Sequence, residues 1–218
     1  MKILGNSLLA IMVTAACAAL PAVASVITVT NFAQPNPVTV HIQSANPSTN
    51  EYVYAGGFTT TDGTHNFVSW CVDIMQDTYL GQSVNDYTLV DAAAVSQIGA
   101  ARADALGRLA TQYLGQVNNA TTASAFQLAA WEIVFENAGN PYNMSGGNFS
   151  AWGASDNSIA LAQTWLNNLP GSSSYSVSVW QSPTHQDLAV FTAVPEPATL
   201  GLFALGLIGL GLVKRRRG

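Results

Sequence analysis

Two apolar segments at the ends of this 218-residue chain limit the part that can fold as a globular domain. The N-terminal segment has a lysine at position 2, a mostly apolar stretch over residues 3–20, and the small residues Ala-Val-Ala at 22–24. This order is typical of a secretory signal peptide, and we expect cleavage after Ala24. Residues 1–24 are therefore predicted to be absent from the exported protein.

The C-terminal segment combines a turn motif, an apolar run and a basic cluster. The apolar run covers residues 198–213, which is slightly short of the roughly 17–25 residues of a spanning helix, although flanking residues can snorkel and the bilayer can thin. The basic cluster that follows predicts that this end stays in the cytoplasm. We therefore expect a C-terminal transmembrane helix, preceded by Pro195, Glu196 and Pro197 and followed by Lys214, Arg215, Arg216 and Arg217.

Residues 194–218 resemble the PEP-CTERM sorting signal, because the Pro-Glu-Pro motif, the apolar helix and the arginine-rich end occur in that family's order. The resemblance implies recognition by an exosortase-type membrane protease in a Gram-negative bacterium that makes extracellular polysaccharide. It also implies a protein that is tail-anchored in the inner membrane before processing and lies afterwards on the cell surface or in the extracellular matrix. An ordinary membrane anchor is the alternative, but it leaves the Pro-Glu-Pro motif unexplained.

The remaining segment, residues 25–193, is long enough for one domain with a hydrophobic core. It contains only two basic residues, Arg102 and Arg108, against eleven acidic ones, a balance unsuited to binding nucleic acid or anionic lipid. Its three histidines are scattered along the chain, and no dinucleotide, P-loop, zinc-protease or nucleophile-elbow motif occurs. We therefore expect no metal, no cofactor and no enzymatic turnover.

The pattern of apolar residues predicts a mixed fold. Alternating or β-branched stretches predict strands at 25–32, 38–44, 51–58, 67–74, 175–180 and 187–194. Helical periodicity predicts three helices between the fourth and fifth of these strands: at 92–115, from Thr121 or Thr122 to Glu136, and at 157–169. Asp91 is the predicted N-cap of the first helix, which Gly99 and Gly107 could divide into two. This order predicts an α+β fold in which a helical block is inserted into one antiparallel sheet or barrel.

Cys71 is the only cysteine expected in the exported protein, because Cys17 lies inside the predicted signal peptide. A lipoprotein acylated at Cys17 is the alternative, but the sequence lacks a leucine-like residue three positions earlier. Exported proteins usually carry cysteines in disulfide-bonded pairs. Strand alternation predicts that one face of this strand packs on the core; it comprises Val68, Trp70, Val72 and Ile74. Cys71 lies on the other face and is therefore predicted to point into a more polar setting.

Gln127 lies on an apolar face of the second predicted helix, next to Ala123, Ala130, Trp131 and Val134. A buried amide costs about 1–3 kcal/mol unless it is hydrogen-bonded. A core glutamine bonded to the backbone explains Gln127 taken alone. Together with a lone cysteine, it has a second interpretation, because a thiolate can attack the carboxamide, expel ammonia and leave an internal thioester, which a desolvated pocket would protect.

The sequence Trp-Cys-Val-Asp at 70–73, followed by Phe-Gln-Leu-Ala-Ala-Trp at 126–131, resembles the thioester domains of bacterial surface adhesins. Those domains carry an aromatic-Cys motif on a strand and a Thr-Gln-x-Ala-x-Trp motif on a helix; here a phenylalanine replaces the threonine. The resemblance implies a thioester between Cys71 and Gln127, with Ala129 and Trp131 in its pocket. It also implies adhesion through an amine or hydroxyl of a surface or matrix partner, for which exopolysaccharide is a candidate.

Three functions remain open at this point. The first is covalent capture of a partner through the thioester. The second is a non-covalent structural or polysaccharide-associated matrix protein in which Cys71 and Gln127 only pack. The third is a hydrolase or transglutaminase-like enzyme that uses Cys71 as nucleophile with His65 or His185 as base.

Overall fold

The computed structural model describes residues 24–195. The predicted signal peptide up to residue 23, the predicted transmembrane helix, Glu196, Pro197 and the basic cluster lie outside the described residues. Pro195 is the last described residue and is exposed. Within residues 24–195, no helix is both long enough and apolar enough to cross a membrane.

The described residues form nine strands and three α-helices. The strands are β1 Ser25–Phe32, β2 Val38–Ala45, β3 Ser48–Ala55, β4 Phe58–Thr61, β5 Asn66–Cys71, β6 Ser83–Asp91, β7 Phe149–Trp152, β8 Tyr175–Gln181 and β9 Leu188–Ala193. The helices are α1 Gly99–Tyr113, α2 Ala120–Phe135 and α3 Ser158–Asn167. All three helices lie between β6 and β8 in the chain, as the inserted block in the sequence analysis requires.

Six strands close an antiparallel barrel in the order β1-β4-β5-β9-β8-β6, and β3-β2-β7 form a separate antiparallel sheet. The predicted α+β fold with a barrel is confirmed. The prediction of about four strands before the first helix is wrong, since six occur there. β6 escaped prediction because Asn85 and Asp86 interrupt its apolar pattern, and β7 because it has only four residues.

The first helical region starts later than predicted. Asp91 caps a short 3₁₀ turn over Ala92–Ala94 instead of the helix: its carboxylate accepts the N–H of Ala93 at 2.8 Å. α1 itself begins at Gly99, which has a φ of +68° that favours glycine. Gly107 does not divide α1; a Cβ there would lie 2.8 Å from the carbonyl oxygen of Tyr175, so glycine permits close packing against β8.

α2 is buried along most of its length because it packs against both other helices, against β5 and against the three-stranded sheet. Asn119 caps its N-terminus, accepting the N–H of Thr122 at 3.0 Å, while the Thr122 side chain bonds back to the Asn119 backbone. The helix therefore begins one or two residues earlier than predicted. Its central position brings Gln127 to the end of β5.

Two glutamates at the end of α2 fasten the connection to β7. Glu132 accepts the N–H of Asn143 at 2.6 Å, and Glu136 accepts the N–H of Asn148 at 2.8 Å. Burial raises the pKa of Glu132 to about 7, whereas at Glu136 the donors, Asn140 among them, outweigh burial and lower the pKa. These bonds hold β7 beside β2, with α2 behind the sheet.

The end of β5 does not show the predicted alternation of faces. Val68 is 46% exposed, while Ser69 is fully buried and its hydroxyl bonds that of Thr60 at 2.7 Å. Trp70 and Cys71 are each 2% exposed. The prediction that Val68 lies on the core face is therefore wrong. Cys71 is buried, but polar groups surround it, among them the Gln127 carboxamide and the Asp73 carbonyl oxygen. At this end of β5, Trp70 packs against Phe126 of α2 with ring centroids 4.4 Å apart, and the N–H of Cys71 donates to Gln127 of the same helix.

Candidate functional site

Cys71 and Gln127 are joined by two hydrogen bonds, although 56 positions separate them in the chain. The N–H of Cys71 donates to Gln127 Oε1 at 3.0 Å, and Gln127 Nε2 donates to the carbonyl oxygen of Cys71 at 2.8 Å. Gln127 is fully buried. The carboxamide of the predicted thioester pair therefore lies against the backbone of its cysteine.

The end of β4 explains why an amide takes this position. β4 begins at Phe58, which pairs with Ser69, so no residue of β4 lies opposite Cys71. The next N–H, that of Val72, points the other way and donates to Asp187 O at 3.0 Å. Gln127 thus supplies the donor and the acceptor that a neighbouring strand would have supplied, and Cys71 keeps a fully paired backbone.

The thiol of Cys71 is neutral at physiological pH. Burial raises its pKa, and the Asp73 and Asp187 carboxylates act in the same direction, while the indole of Trp131 opposes the shift. The thiol donates to the carbonyl oxygen of Asp73, with sulfur and oxygen 2.7 Å apart. A free thiol in this setting would be a poor nucleophile toward reagents in solution.

Trp131 lies one turn after Gln127 on α2 and is 3% exposed. Its indole nitrogen lies close enough to Cys71 to lower the pKa of the thiol. By strict geometry, however, this nitrogen has no hydrogen-bond partner among the described residues. A buried N–H without a partner is costly. The Trp131 indole N–H is therefore a free hydrogen-bond donor beside the Cys71 sulfur.

A cleft of about 420 Å³ opens above this pair, with Cys71, Gln127 and Trp131 among its lining residues. Its walls come from β3 and from the segment 74–80 that follows β5. Ala129, the other predicted pocket residue, is fully buried but does not line the cleft. Three of the four predicted residues therefore meet at one cavity that is open to solvent.

Sequence reasoning missed a set of polar residues around the cysteine that comes from the β8–β9 connection. Gln186 lines the cleft, its Nε2 donates to Asp73 O at 3.0 Å, and its carbonyl accepts the hydroxyl of Tyr87 at 2.8 Å. Burial raises the pKa of both Asp73 and Asp187. No local motif marks Gln186 and Asp187, because the pairing of β5 with β9 in the barrel brings them to Cys71.

The two histidines considered as bases lie elsewhere. His65 is exposed and pairs with Asp62 at 3.5 Å. His185 bonds the Thr184 hydroxyl at 2.8 Å and the Gln82 amide at 3.2 Å. Neither lines the cleft. In the part of the chain that the structure describes, no group of acidic, histidine and cysteine side chains could hold a metal ion.

Comparison with known proteins yields one finding. Residues 193–217 match the PEP-CTERM protein-sorting motif. The motif indicates an exported protein that crosses the membrane by way of a C-terminal tail, is recognised by exosortase and is sorted to the cell surface. No curated protein and no solved structure gave a match.

Proposed function

We propose that this exported protein attaches covalently to a partner on the cell surface or in the extracellular matrix, through a thioester between Cys71 Sγ and Gln127 Cδ. One observation carries the proposal: two hydrogen bonds hold the Gln127 carboxamide against Cys71 in a buried site that opens into a cleft. Such fixed orientation of two reacting groups contributes strongly to the rate of an intramolecular reaction.

The thioester forms by loss of ammonia. The Cys71 sulfur attacks Gln127 Cδ, the bond from Cδ to Nε2 breaks, and the nitrogen leaves as ammonia with the proton of the thiol. The Cys71 N–H already donates to Oε1, so it is placed to stabilise the negative charge that develops on this oxygen. Burial of both residues keeps water from the product.

Capture of a partner breaks the thioester again. An amine or hydroxyl enters the cleft and attacks Gln127 Cδ, the bond from Cδ to sulfur breaks, and the proton of the nucleophile passes to sulfur. The product is an amide or ester between partner and Gln127, with a free Cys71 thiol. Each molecule reacts once, so we propose a binding protein and not an enzyme.

The alternative is a non-covalent structural or polysaccharide-associated matrix protein. The same pair of hydrogen bonds favours it, because they satisfy Gln127 as a clamp between α2 and β5 without any chemistry. A hydrolase has weaker support, since neither candidate histidine lines the cleft.

Thiol titration of the denatured protein separates the two leading functions. A pyridyl disulfide that reacts at acid pH is expected to find no thiol in the untreated protein and one thiol after incubation of the folded protein with methylamine. A Gln127→Ala variant should show the thiol without methylamine. One titratable thiol per molecule in the untreated, denatured parent would favour the non-covalent alternative, because burial protects Cys71 from the reagent only while the protein is folded.

A further inference from the structure

Three aromatic side chains form a row across the outer face of the three-stranded sheet. His41 on β2 pairs in register with Tyr52 on β3 and with Trp152 on β7, so all three project from one face. The His41 ring lies 4.4 Å from the Tyr52 ring and 4.2 Å from the Trp152 ring, measured between centroids. Tyr52 is 71% exposed and Trp152 is 42% exposed.

A row of polar side chains lies beside the aromatic row. Gln43 on β2 pairs in register with Asn50 on β3 and with Ser150 on β7, two residues along each strand from the aromatic row. Gln43 and Asn50 are exposed, and none of the three side chains makes a hydrogen bond to another described residue. The face therefore offers ring surfaces next to free amides and a hydroxyl, whereas the opposite face is buried against α2.

The aromatic row leads to the cleft above Cys71. Tyr52 lines both, and Tyr54, two residues further along β3, is a second exposed ring in the wall of the cleft. The lining also includes the carboxylates of Glu51 and Asp77, neither of which forms an ion pair among the described residues. Glu51 pairs in register with the buried Ile42 and projects from the face opposite the row, so the carboxylates lie in the cleft at the edge of β3, beside the outer face that carries Tyr52 and Tyr54.

We propose that the outer face of the three-stranded sheet binds a polysaccharide that carries free amino groups. Sugar rings present flat C–H surfaces that pack on aromatic rings, and their hydroxyls suit the neighbouring amides. Ammonium groups are attracted by the faces of Tyr and Trp and by unpaired carboxylates. With eleven acidic residues against two arginines between residues 24 and 195, a polyanionic glycan would be repelled.

A polysaccharide with free amino groups would be the substrate of the proposed thioester. Binding to the sheet does not require the thioester, and only the covalent step rests on it. An amino group of the bound chain attacks Gln127 Cδ, the bond to Cys71 sulfur breaks, an amide forms, and one proton of the amine passes to sulfur. Stacking on Tyr52 and Trp152 holds the chain at the mouth of the cleft and raises the local concentration of the amine.

The test measures binding apart from chemistry. The full chain with Cys71→Ala, which cannot form the thioester, is titrated by calorimetry with glucosamine oligomers whose amines are free and with fully N-acetylated oligomers of equal length. We expect the free-amine oligomers to bind more tightly, and Tyr52→Ala or Trp152→Leu to weaken their binding about tenfold. Leu89→Ala, which removes an exposed apolar side chain from β6, is the control and should bind like the parent.

Three results would overturn the inference: equal binding of the acetylated and free-amine oligomers, unchanged binding by both row variants, or equal binding of a lysine oligomer of matched charge. Denaturant unfolding of each variant shows whether lost binding reflects lost folding. Failure here leaves the thioester untouched, because methylamine reaction of the parent reports on it separately.

Discussion

Replacement of Gln127 by alanine is expected to abolish methylamine incorporation and to lower the free energy of unfolding by about 4 kcal/mol or more. The change removes a cross-link between residues 56 positions apart, and closure of a loop of that size is worth about 4 kcal/mol in the unfolded chain. It also leaves the buried N–H of Cys71 without its partner, which costs about 1–3 kcal/mol. Denaturant unfolding and mass spectrometry measure both effects.

Gln163→Ala supplies a matched control. Gln163 also lies on a helix and also clamps backbone groups, accepting the Met144 N–H at 2.8 Å and donating to Tyr142 O at 3.0 Å. Its loss should cost about 1–3 kcal/mol and leave methylamine incorporation unchanged. If both variants lost the same stability, Gln127 would be a clamp like Gln163 and no cross-link would exist.

Changes in the C-terminal motif are expected to abolish sorting. Replacing Glu196 by alanine alters the Pro-Glu-Pro motif, and replacing residues 214–217 by glutamine removes the charge that holds this end in the cytoplasm. We expect both variants to be lost from the cell surface in the producing bacterium, as measured by surface labelling and fractionation.

Leu89→Ala is the control for the sorting experiment. It alters an exposed residue of β6 outside the matched residues 193–217, so display should match the parent. If the Glu196 and basic-cluster variants were also displayed like the parent, the segment would act only as a membrane anchor.

Much of the secondary structure follows from local sequence, because alternation, capping residues and proline breaks act over a few positions. β1 matches its predicted limits, β2 and β8 differ from theirs by one residue at one end, and β9 differs by one residue at each end. Local rules failed where tertiary packing dominates. Val68 is exposed although alternation places it on the core face, and Cys71 is buried beside Gln127 of α2, a helix that follows β5 by almost fifty residues.

The candidate site was only partly within reach of the sequence. The apolar surroundings of Gln127 predict a buried amide, but its pairing with Cys71 rested on the chemistry of a lone thiol and on a resemblance, and not on spacing. The contacts of Gln186 depend on the closure of the barrel. The aromatic row could not be predicted from the sequence, because it depends on the register between β2 and β7, and no sequence pattern predicts β7.

The intact mass of freshly purified protein tests the central claim most directly. The parent should be one ammonia lighter than its sequence, with Cys71→Ala and Gln127→Ala as references that cannot form the bond and that cancel any difference in processing. After correction for the substituted side chain, both variants should show the full mass. Methylamine should convert the parent to a product that carries the amine and a free Cys71 thiol. A parent with the full mass and an unmodified Cys71 would contradict the thioester and leave the pair as a packing contact between α2 and β5.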